Sequence, residues 1–297
     1  MKLIFIDTNI YLDFYRPSEH SLDILTELIK LLEDKELKLI LPKQVYDEFI
    51  RNKEGICSNF VKTIHNIKDP GFVDKEKIEK VNNLVKEIKD DYEKKVFSDT
   101  SEINTKINKL FKLAEKAKET KDLLDLAYYR YLKGNPPRKS DQSYGDAIIW
   151  ETLLKDYSDN DLIIVSHDRD FAVELKGPKK LHPFLEYEWQ QKNNKKIFLT
   201  DTLGEVINKI TKKETIKKEA IQEEKKVSAD YWRKEFATMS VASGIVNNFG
   251  LGSVNYIPES SIPLQVNIDK GFAVVKVCSH CGWLIVGENS HCPICGL

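Results

Sequence analysis

The stretch Leu3-Ile4-Phe5-Ile6-Asp7-Thr8-Asn9 decides the fold class, because a short, unbroken apolar run ends abruptly in polar residues. A strand that is covered on both faces has such a continuous run, whereas a half-buried strand alternates. Three further short runs have the same character, at 37–41, 162–165 and 197–199. Each of the four runs is predicted to be a buried strand.

Helical patterns separate these strands. Apolar residues recur every three or four positions over 22–32 and 45–50, and another helix is predicted over 146–155. The alternation of strands and helices predicts an α/β domain with a parallel sheet flanked by helices. The stretch of about 74–133 is also helical in periodicity, and we interpret it as a helical insertion that ends at Gly134-Asn135-Pro136-Pro137.

Acidic residues lie where the predicted strands end. Asp7 ends the first strand, and Asp168 and Asp170 follow the third. Glu48 lies early in the helix after the second strand, and Asp146 opens the helix before the third. Because ligands of an open parallel sheet bind beyond the carboxyl ends of its strands, the topology predicts an acidic site at that edge.

Each acid also has a structural interpretation that the sequence leaves open. Asp7 can cap a turn, Asp146 is favoured at a helix start by the helix dipole, and Glu48 is ordinary on a surface helix. Asp168 and Asp170 lie in a turn, where Asp is common. A site requires all of these strand-end contexts together, and their coincidence favours the site hypothesis.

A cluster of carboxylates repels itself unless a positive charge lies among its members. Mg²⁺ or Mn²⁺ meets this need, because hard divalent cations bind a few carboxylates together with waters and substrate phosphates. Such ions orient and deprotonate water and stabilise charge on the leaving oxygen of a phosphodiester. The acids therefore predict a divalent-metal site for phosphodiester hydrolysis.

Four motifs in this order resemble the PIN domain family, the metal-dependent ribonuclease fold that is also found in VapC toxins. They are Phe5-Ile6-Asp7-Thr8-Asn9-Ile10, Val45-Tyr46-Asp47-Glu48-Phe49, Gly145-Asp146-Ala147-Ile148-Ile149-Trp150-Glu151 and Val165-Ser166-His167-Asp168-Arg169-Asp170-Phe171. The third motif, after Pro136-Pro137, is similar to an uncharacterised PIN-like group with a helical insertion. The resemblance covers about residues 1–200.

The resemblance implies roles for individual residues. The family's acidic quartet, which is catalytic and holds Mg²⁺ or Mn²⁺, corresponds to Asp7, Glu48, Asp146 and Asp168. Asn9 matches the polar residue that supports the first aspartate, and Ser166 matches a position where many members have Thr or Ser. Asp170 stays open, since members differ in which acid of this loop faces the metal. The helical stretch before Asp146 and the residues after the fold depart from the small toxins, and both weigh against a simple toxin role.

Four cysteines near the end of the sequence form a C-x2-C-x10-C-x2-C array of Cys278, Cys281, Cys292 and Cys295. This spacing suits tetrahedral Zn²⁺, and Gly282 and Gly296 permit tight turns that direct backbone N–H groups toward sulfur. We predict a structural zinc ribbon, with paired disulfides or a redox site as alternatives. Such a ribbon contacts nucleic acid or another protein, and the sequence leaves that choice open.

The composition excludes several classes of protein. The chain has 297 residues, of which 41% are hydrophobic, and 46 Lys+Arg against 47 Asp+Glu give a net charge of -1. This balance excludes a strongly basic nucleic-acid coat, and 10% aromatic residues exclude an acidic disordered chain. No apolar run approaches the roughly 18 residues of a membrane helix, and Asp7 interrupts the first run too early for a signal peptide. We expect a soluble, cytoplasmic protein.

Three regions are predicted: a PIN-like nuclease domain over 1–203, a charged helix and linker over 204–253, and a β-rich segment with the zinc ribbon over 254–297. The expected function is a Mg²⁺/Mn²⁺-dependent endoribonuclease, with Arg138 and Lys139 near the RNA backbone. The alternatives are a flap-type DNA nuclease, a catalytically silent scaffold that recruits a partner through the ribbon, and a toxin or defence nuclease silenced by a partner. Dimers are common in the family, so a homodimer stays open.

Overall fold

The computed structural model describes residues 2–16, 18, 20–66, 68, 71, 74–137, 144–173, 179–229, 264–268, 271–277 and 284–286. Contacts within the chain divide it into two compact units, Met1–Tyr231 and Trp232–Leu297. None of the helices in these ranges is both long and apolar enough to cross a membrane.

The first unit is built on a parallel sheet. Its strands are β1 (Lys2–Ile6), β2 (Leu37–Pro42), β3 (Glu115–Ala117), β4 (Leu162–Val165), β5 (Ala172–Val173), β6 (Lys180–Leu181) and β7 (Ile197–Thr200). Five of them form one parallel sheet in the order β3-β2-β1-β4-β7, and β5 pairs with β6 in a small antiparallel ribbon.

Helices lie between these strands and follow them. They are α1 (Thr8–Asp13), α2 (Ser21–Glu33), α3 (Lys43–Thr63), α4 (Lys75–Phe97), α5 (Glu102–Leu113), α6 (Lys121–Lys133), α7 (Gly145–Asp156), α8 (Pro183–Asn193) and α9 (Leu203–Thr211). A last helix, α10, is described over residues 218–229. The parallel sheet with its flanking helices confirms the predicted α/β class.

The strand order reverses between β1 and β4. From β1 the chain builds β2 and β3 on one side, and it then returns to place β4 and β7 on the other. Ile6, the last residue of β1, is in register with Val165, the last residue of β4. Such a reversal opens a crevice at the carboxyl ends of the two strands, which is the usual ligand position in this fold class.

Three of the four predicted strands, β2, β1 and β4, form the centre of the sheet because they are covered on both faces, and the fourth, β7, lies at its edge. Ile4, Phe5 and Ile6 are fully buried, and so are Ile164 and Val165 of the neighbouring strand. The fifth strand, β3, was not predicted, because its sequence Glu-Lys-Ala has no apolar run. It lies at the edge of the sheet, where charged residues are common and protect against further pairing.

The periodicity over 74–133 predicts helices, and α4, α5 and α6 occur there. They pack on the α/β core through buried polar contacts as well as apolar ones. The hydroxyl of Tyr15 donates to Asn104 Oδ1 at 2.6 Å, and Asn104 Nδ2 donates to the Val96 carbonyl at 2.7 Å. Because β3 lies inside this stretch and joins the main sheet, the segment is not purely helical. Its interpretation as an insertion stays a prediction.

A buried ion network joins α6, α7 and α8. The Arg130 side chain is only 4% exposed, and its Nε donates to Glu151 Oε1 at 2.6 Å. Its other donors reach Glu188 Oε1 at 2.9 Å and the Pro136 carbonyl at 2.5 Å. Trp150 Nε1 completes the network by donating to Glu188 Oε2 at 2.9 Å. Hydrogen bonds therefore hold the Arg130 guanidinium and the carboxylates of Glu151 and Glu188, as buried charges require.

The predicted charged helix and linker over 204–253 stays a prediction, and the described residues of its first part, 204–229, pack in the first unit. Ile216 and Ala220 are buried in its core, and Glu224 of α10 caps the start of α9. Its two carboxylate oxygens accept hydrogen bonds from the backbone N–H groups of Leu203 and Gly204, at 2.8 and 2.9 Å. The charged composition hid this contact, because the lysines cover the outer face of a helix whose inner face is apolar.

The second unit contains a three-stranded antiparallel sheet in the order β10-β9-β8. Its strands are β8 (Leu264–Ile268), β9 (Gly271–Val277) and β10 (Leu284–Val286). The cysteine array lies outside the described residues, and so the zinc ribbon stays a prediction.

Candidate metal centre

The first acid of the site follows β1 at the crevice between β1 and β4. Asp7 is the N-cap of α1, and its backbone N–H donates to the Val165 carbonyl of the neighbouring strand at 2.9 Å. This hydrogen bond continues the pairing of β1 and β4 by one residue. The carboxylate of Asp7 is therefore fixed at the carboxyl edge of the sheet, where it is 4% exposed.

Three donors hold the Asp7 carboxylate in one orientation. Ser166 Oγ donates to Oδ2 at 2.5 Å, Asn9 Nδ2 donates to the same oxygen at 2.8 Å, and the Thr8 backbone N–H donates to Oδ1 at 2.7 Å. Ser166 Oγ also accepts from the Asp168 backbone N–H at 2.9 Å. A single hydroxyl thus connects the loops that follow β1 and β4, which are far apart in sequence.

Glu48 reaches the same place from the second turn of α3. Thr8 Oγ1 donates to Glu48 Oε2 at 3.0 Å, and Gln44 Nε2 donates to Oε1 at 2.7 Å. The approach depends on Gly145 at the start of α7, because a Cβ atom there would lie 2.5 Å from Glu48 Oε1. The Gly-Asp pair that opens α7 therefore supplies both an acid and the space for a second one.

Asp146, Asp168 and Asp170 form the tightest cluster of acids among the described residues. One carboxylate oxygen from each lies within 4.8 Å of those of the other two. The Asp170 backbone N–H donates to Asp168 Oδ1 at 2.9 Å, so the loop after β4 folds back on its own acid. The sequence left the role of Asp170 open, and the structure brings it next to Asp146 and Asp168.

The four acids of the predicted quartet line one cleft of about 410 Å³, together with Thr8, Asn9, Leu12, Arg16, Arg51, Asn52, Gly55, Ile56 and Asn59. The predicted strand ends and helix starts are thus brought together as the parallel topology requires. Arg138 and Lys139, which we expected near RNA, lie outside the described residues.

The wall of the cleft that α3 forms was not predicted from the sequence. Arg51, Asn52, Gly55, Ile56 and Asn59 follow Glu48 by three, four, seven, eight and eleven positions. This is the spacing of one face of a helix, so the pattern was present in the sequence once Glu48 had been assigned to the site. It was overlooked because these residues are mixed in chemistry and give no apolar stripe.

A histidine–carboxylate contact, an ion pair and a buried tyrosine lie beside the site. His167 Nε2 lies 2.8 Å from Asp13 Oδ2, and the Arg16 guanidinium contacts the same carboxylate at 2.9 Å. The first contact ties α1 to the loop that carries Asp168, and the second is local to the end of α1. In α1, burial and the nearby Asp7 charge raise the pKa of Tyr11 well above its usual range, so this phenol is neutral at all pH values of interest.

The donor set suits a hard divalent cation. The clustered atoms are carboxylate oxygens, and the neighbouring side chains offer hydroxyl and amide oxygens rather than sulfur or imidazole. Mg²⁺ and Mn²⁺ bind such ligands and keep several waters, for which the open cleft leaves room. The residues therefore fit a Mg²⁺ or Mn²⁺ ion.

Comparisons with known proteins address the fold of the first unit. A family model described as a PIN domain matches residues 4–171, which include Asp7, Glu48, Asp146, Asp168 and Asp170. No curated protein and no solved structure matches the chain.

Proposed function

The chain belongs to the PIN domain family, and from this premise we propose that it is a Mg²⁺- or Mn²⁺-dependent endoribonuclease. PIN domains are typically nucleases that depend on metal. The observation that carries the proposal is the acidic cluster of Asp146, Asp168 and Asp170 at the carboxyl edge of the sheet, where Asp7 and Glu48 line the same cleft.

In the proposed site, Asp7, Glu48, Asp146 and Asp168 hold the metal ions. When bound, these ions supply a Lewis acid that activates water and neutralises charge on the leaving oxygen. The chain itself contributes orientation. Asn9 and Ser166 orient the Asp7 carboxylate. The backbone N–H of Asp170 orients the Asp168 carboxylate. Side chains that are held this firmly need little rearrangement when a cation and a phosphate arrive.

The remaining assignments complete the proposal. We infer that Cys278, Cys281, Cys292 and Cys295 hold a structural Zn²⁺, because two C-x2-C pairs supply four thiolates and leave no open position for catalysis. The ribbon then serves as a contact for RNA or for a protein partner. We further propose that the protein acts in the cytoplasm.

The experiment that tests this function is cleavage of single-stranded RNA and DNA oligonucleotides in Mn²⁺, with EDTA as one control. Asp7→Asn, Asp146→Asn and Asp168→Asn should each lower the rate by at least about 100-fold, because each removes a charge that the metals need. Asp122→Asn is the matched control, since Asp122 is an exposed residue of α6 outside the cleft. It should cleave as the wild type does.

The outcomes separate the alternatives. Loss of RNA cleavage in the cleft variants alone supports the endoribonuclease. Cleavage that is confined to DNA junctions or 5′ ends would move the assignment to a flap-type nuclease. Equal cleavage by all four variants would mean that the activity comes from a contaminant, and the site assignment would be wrong. RNA binding without any cleavage in Mn²⁺ would favour a silent scaffold.

A further inference from the structure

One face of α3 forms a wall of the acidic cleft that the metal site does not use. Arg51, Asn52, Gly55, Ile56 and Asn59 lie on this face, and we call them the α3 wall. None of them is fully buried, and four of the five are well exposed. The wall therefore offers one cation, two amides and one apolar group, and it has no side chain at Gly55. It lines the same cleft as the acids, where a substrate must lie to reach them.

Gly55 has no structural reason to be glycine. It lies near the middle of a 21-residue helix, where glycine weakens the helix relative to alanine. Its φ is not positive, and a Cβ atom at this position would meet no atom within 4 Å. Gly145 and Gly204 differ, because a Cβ atom would clash there with Glu48 or Ile221. The consequence of a glycine at position 55 is that the cleft stays open along α3.

Arg51 differs from the other arginine of the cleft. Arg16 is neutralised within the protein, because it pairs with Asp13 at 2.9 Å. Among the residues that the structure describes, no carboxylate lies within ion-pair distance of Arg51. A guanidinium presents its donors in a planar fork that matches phosphate, so an exposed arginine beside a phosphodiesterase site is suited to a substrate phosphate.

We propose that the α3 wall binds a single RNA strand and fixes which phosphodiester lies over the acids. This inference rests on the proposed function and names the substrate surface of the same site. Arg51 pairs with a phosphate next to the one that is cut, and the RNA backbone passes over Gly55, where no side chain obstructs it. Asn52 and Asn59 offer amide donors and acceptors to the sugar or base edges on either side. A cleft of about 410 Å³ has room for a short segment of one strand.

The test measures RNA binding separately from cleavage. A fluorescent single-stranded RNA oligonucleotide is titrated with the full chain in Ca²⁺, and affinity is read by anisotropy at several salt concentrations. A DNA strand of the same sequence is the second arm, and cleavage in Mn²⁺ and the melting temperature are measured on the same preparations.

Two variants of the wall should bind RNA more weakly, each in a characteristic way. Arg51→Ala should lower affinity about 10-fold and reduce the slope of log affinity against log salt by about 0.7, as expected for one lost phosphate contact on a single strand. Gly55→Leu should also lower affinity about 10-fold, yet its melting temperature should be equal to or above that of the wild type, because leucine favours helix. A merely structural role of Gly55 would not combine weaker binding with a stable fold.

The matched controls lie on α4, and neither lines the cleft. Asn83→Leu adds the same side chain at an exposed helical position, and Lys95→Ala removes an exposed cation. Both should bind RNA as the wild type does. Wild-type affinity of Arg51→Ala and Gly55→Leu would overturn the inference while leaving the nuclease assignment intact. If these variants lose RNA binding but the wild type does not cleave RNA, the inference about the α3 wall stands and the nuclease assignment is wrong. An effect on the DNA strand alone would overturn the assignment to RNA.

Discussion

The helix α7 joins two acidic sites that differ in what lies among their carboxylates. Near its middle, Glu151 meets Glu188 across the buried guanidinium of Arg130. At its first turn, Asp146 meets Asp168 and Asp170 at a cleft that is open to solvent. The first site is closed around a cation of the chain, whereas the second lies at a cleft that solvent enters. Clustered acids thus do not mark a functional site by themselves, and access to a cation from outside distinguishes the two.

Arg130→Met should give the largest change in stability. It leaves the Glu151 and Glu188 carboxylates buried without their cation, which typically costs about 3–5 kcal/mol of the free energy of unfolding. Urea denaturation followed by circular dichroism measures this loss. Adding Glu151→Gln and Glu188→Gln to the same chain should recover part of it, because the uncompensated charges are then removed.

The control for this change is Lys95→Ala on α4. Lys95 pairs with Asp91 at 2.7 Å, but the two side chains are 70% and 61% exposed. Such a surface pair contributes at most about 1 kcal/mol. A loss in Arg130→Met no greater than that in Lys95→Ala would mean that the buried network does not stabilise the fold.

Mn²⁺ should raise the free energy of unfolding by binding at the Asp146, Asp168 and Asp170 cluster and not at the Arg130 network. At a concentration 100 times its dissociation constant, an ion that binds only the folded state adds about 2.7 kcal/mol to the free energy of unfolding. Asp146→Asn combined with Asp168→Asn should abolish this gain, while in EDTA the double variant should be at least as stable as the wild type because repulsion is relieved. If Mn²⁺ stabilises the wild type and the double variant equally, the ion binds outside the acidic cluster. The cysteine array, which is the same in both proteins, would then be a candidate site.

Glu224, a half-buried acid, is held differently, because backbone N–H groups at the start of α9 contact its carboxylate instead of a cation. Burial raises its pKa to about 7 from the ordinary 4.5, although the hydrogen bonds from Gly204 and Leu203 oppose this shift. The folded state therefore binds more protons than the unfolded state between these two values. The free energy of unfolding should fall by about 2 kcal/mol as the pH rises from 5 to 8.

Glu224→Gln tests this titration. The amide keeps one acceptor for the N–H groups of α9 but cannot ionise, so the decline of stability over this pH range should become shallower. Urea denaturation at half-unit pH steps measures both profiles. A Glu224→Gln profile that is as steep as that of the wild type would assign the pH dependence to other groups.

Gly145→Ala should have the smallest effect on stability and a specific one on the site. Its Cβ would lie 2.5 Å from Glu48 Oε1, so the carboxylate must move, at a cost of about 1 kcal/mol. The gain in stability from Mn²⁺ should fall with it. In a double-mutant cycle, Gly145→Ala should cost nothing further when Glu48→Ala has removed the carboxylate. Additive losses would place the cause outside this contact.

Much of the sheet was predictable because its three inner strands are covered on both faces and the edge strand β7 is also apolar in sequence. β1, β2, β4 and β7 have short apolar runs, and these runs sufficed to predict them. β3 was missed because an edge strand of three residues, two of them charged, has no such run. The packing of α10 was also missed, since its buried positions occur among many exposed lysines and glutamates.

The position of the acids was predictable, but their contacts were not. The direction of parallel strands fixes which end of each strand reaches the cleft, and so Asp7 and Asp168 were expected at one edge. The space that Gly145 leaves for Glu48, and the proximity of Asp170 to Asp146, depend on side-chain geometry that no sequence pattern encodes. The Arg130 network was missed for the same reason, because its partners come from three separate helices.

The pairing of β1 with β4 also has a consequence for how the protein is made. Asp7 and Ser166 are 159 positions apart, and their hydrogen bond forms only when β4 has taken its place beside β1. During synthesis, a chain that has not yet emerged beyond β4 carries Asp7 and Glu48 but cannot form the cleft. If the cleft cuts RNA, the nascent polypeptide cannot cleave its own mRNA until most of the first unit has left the ribosome.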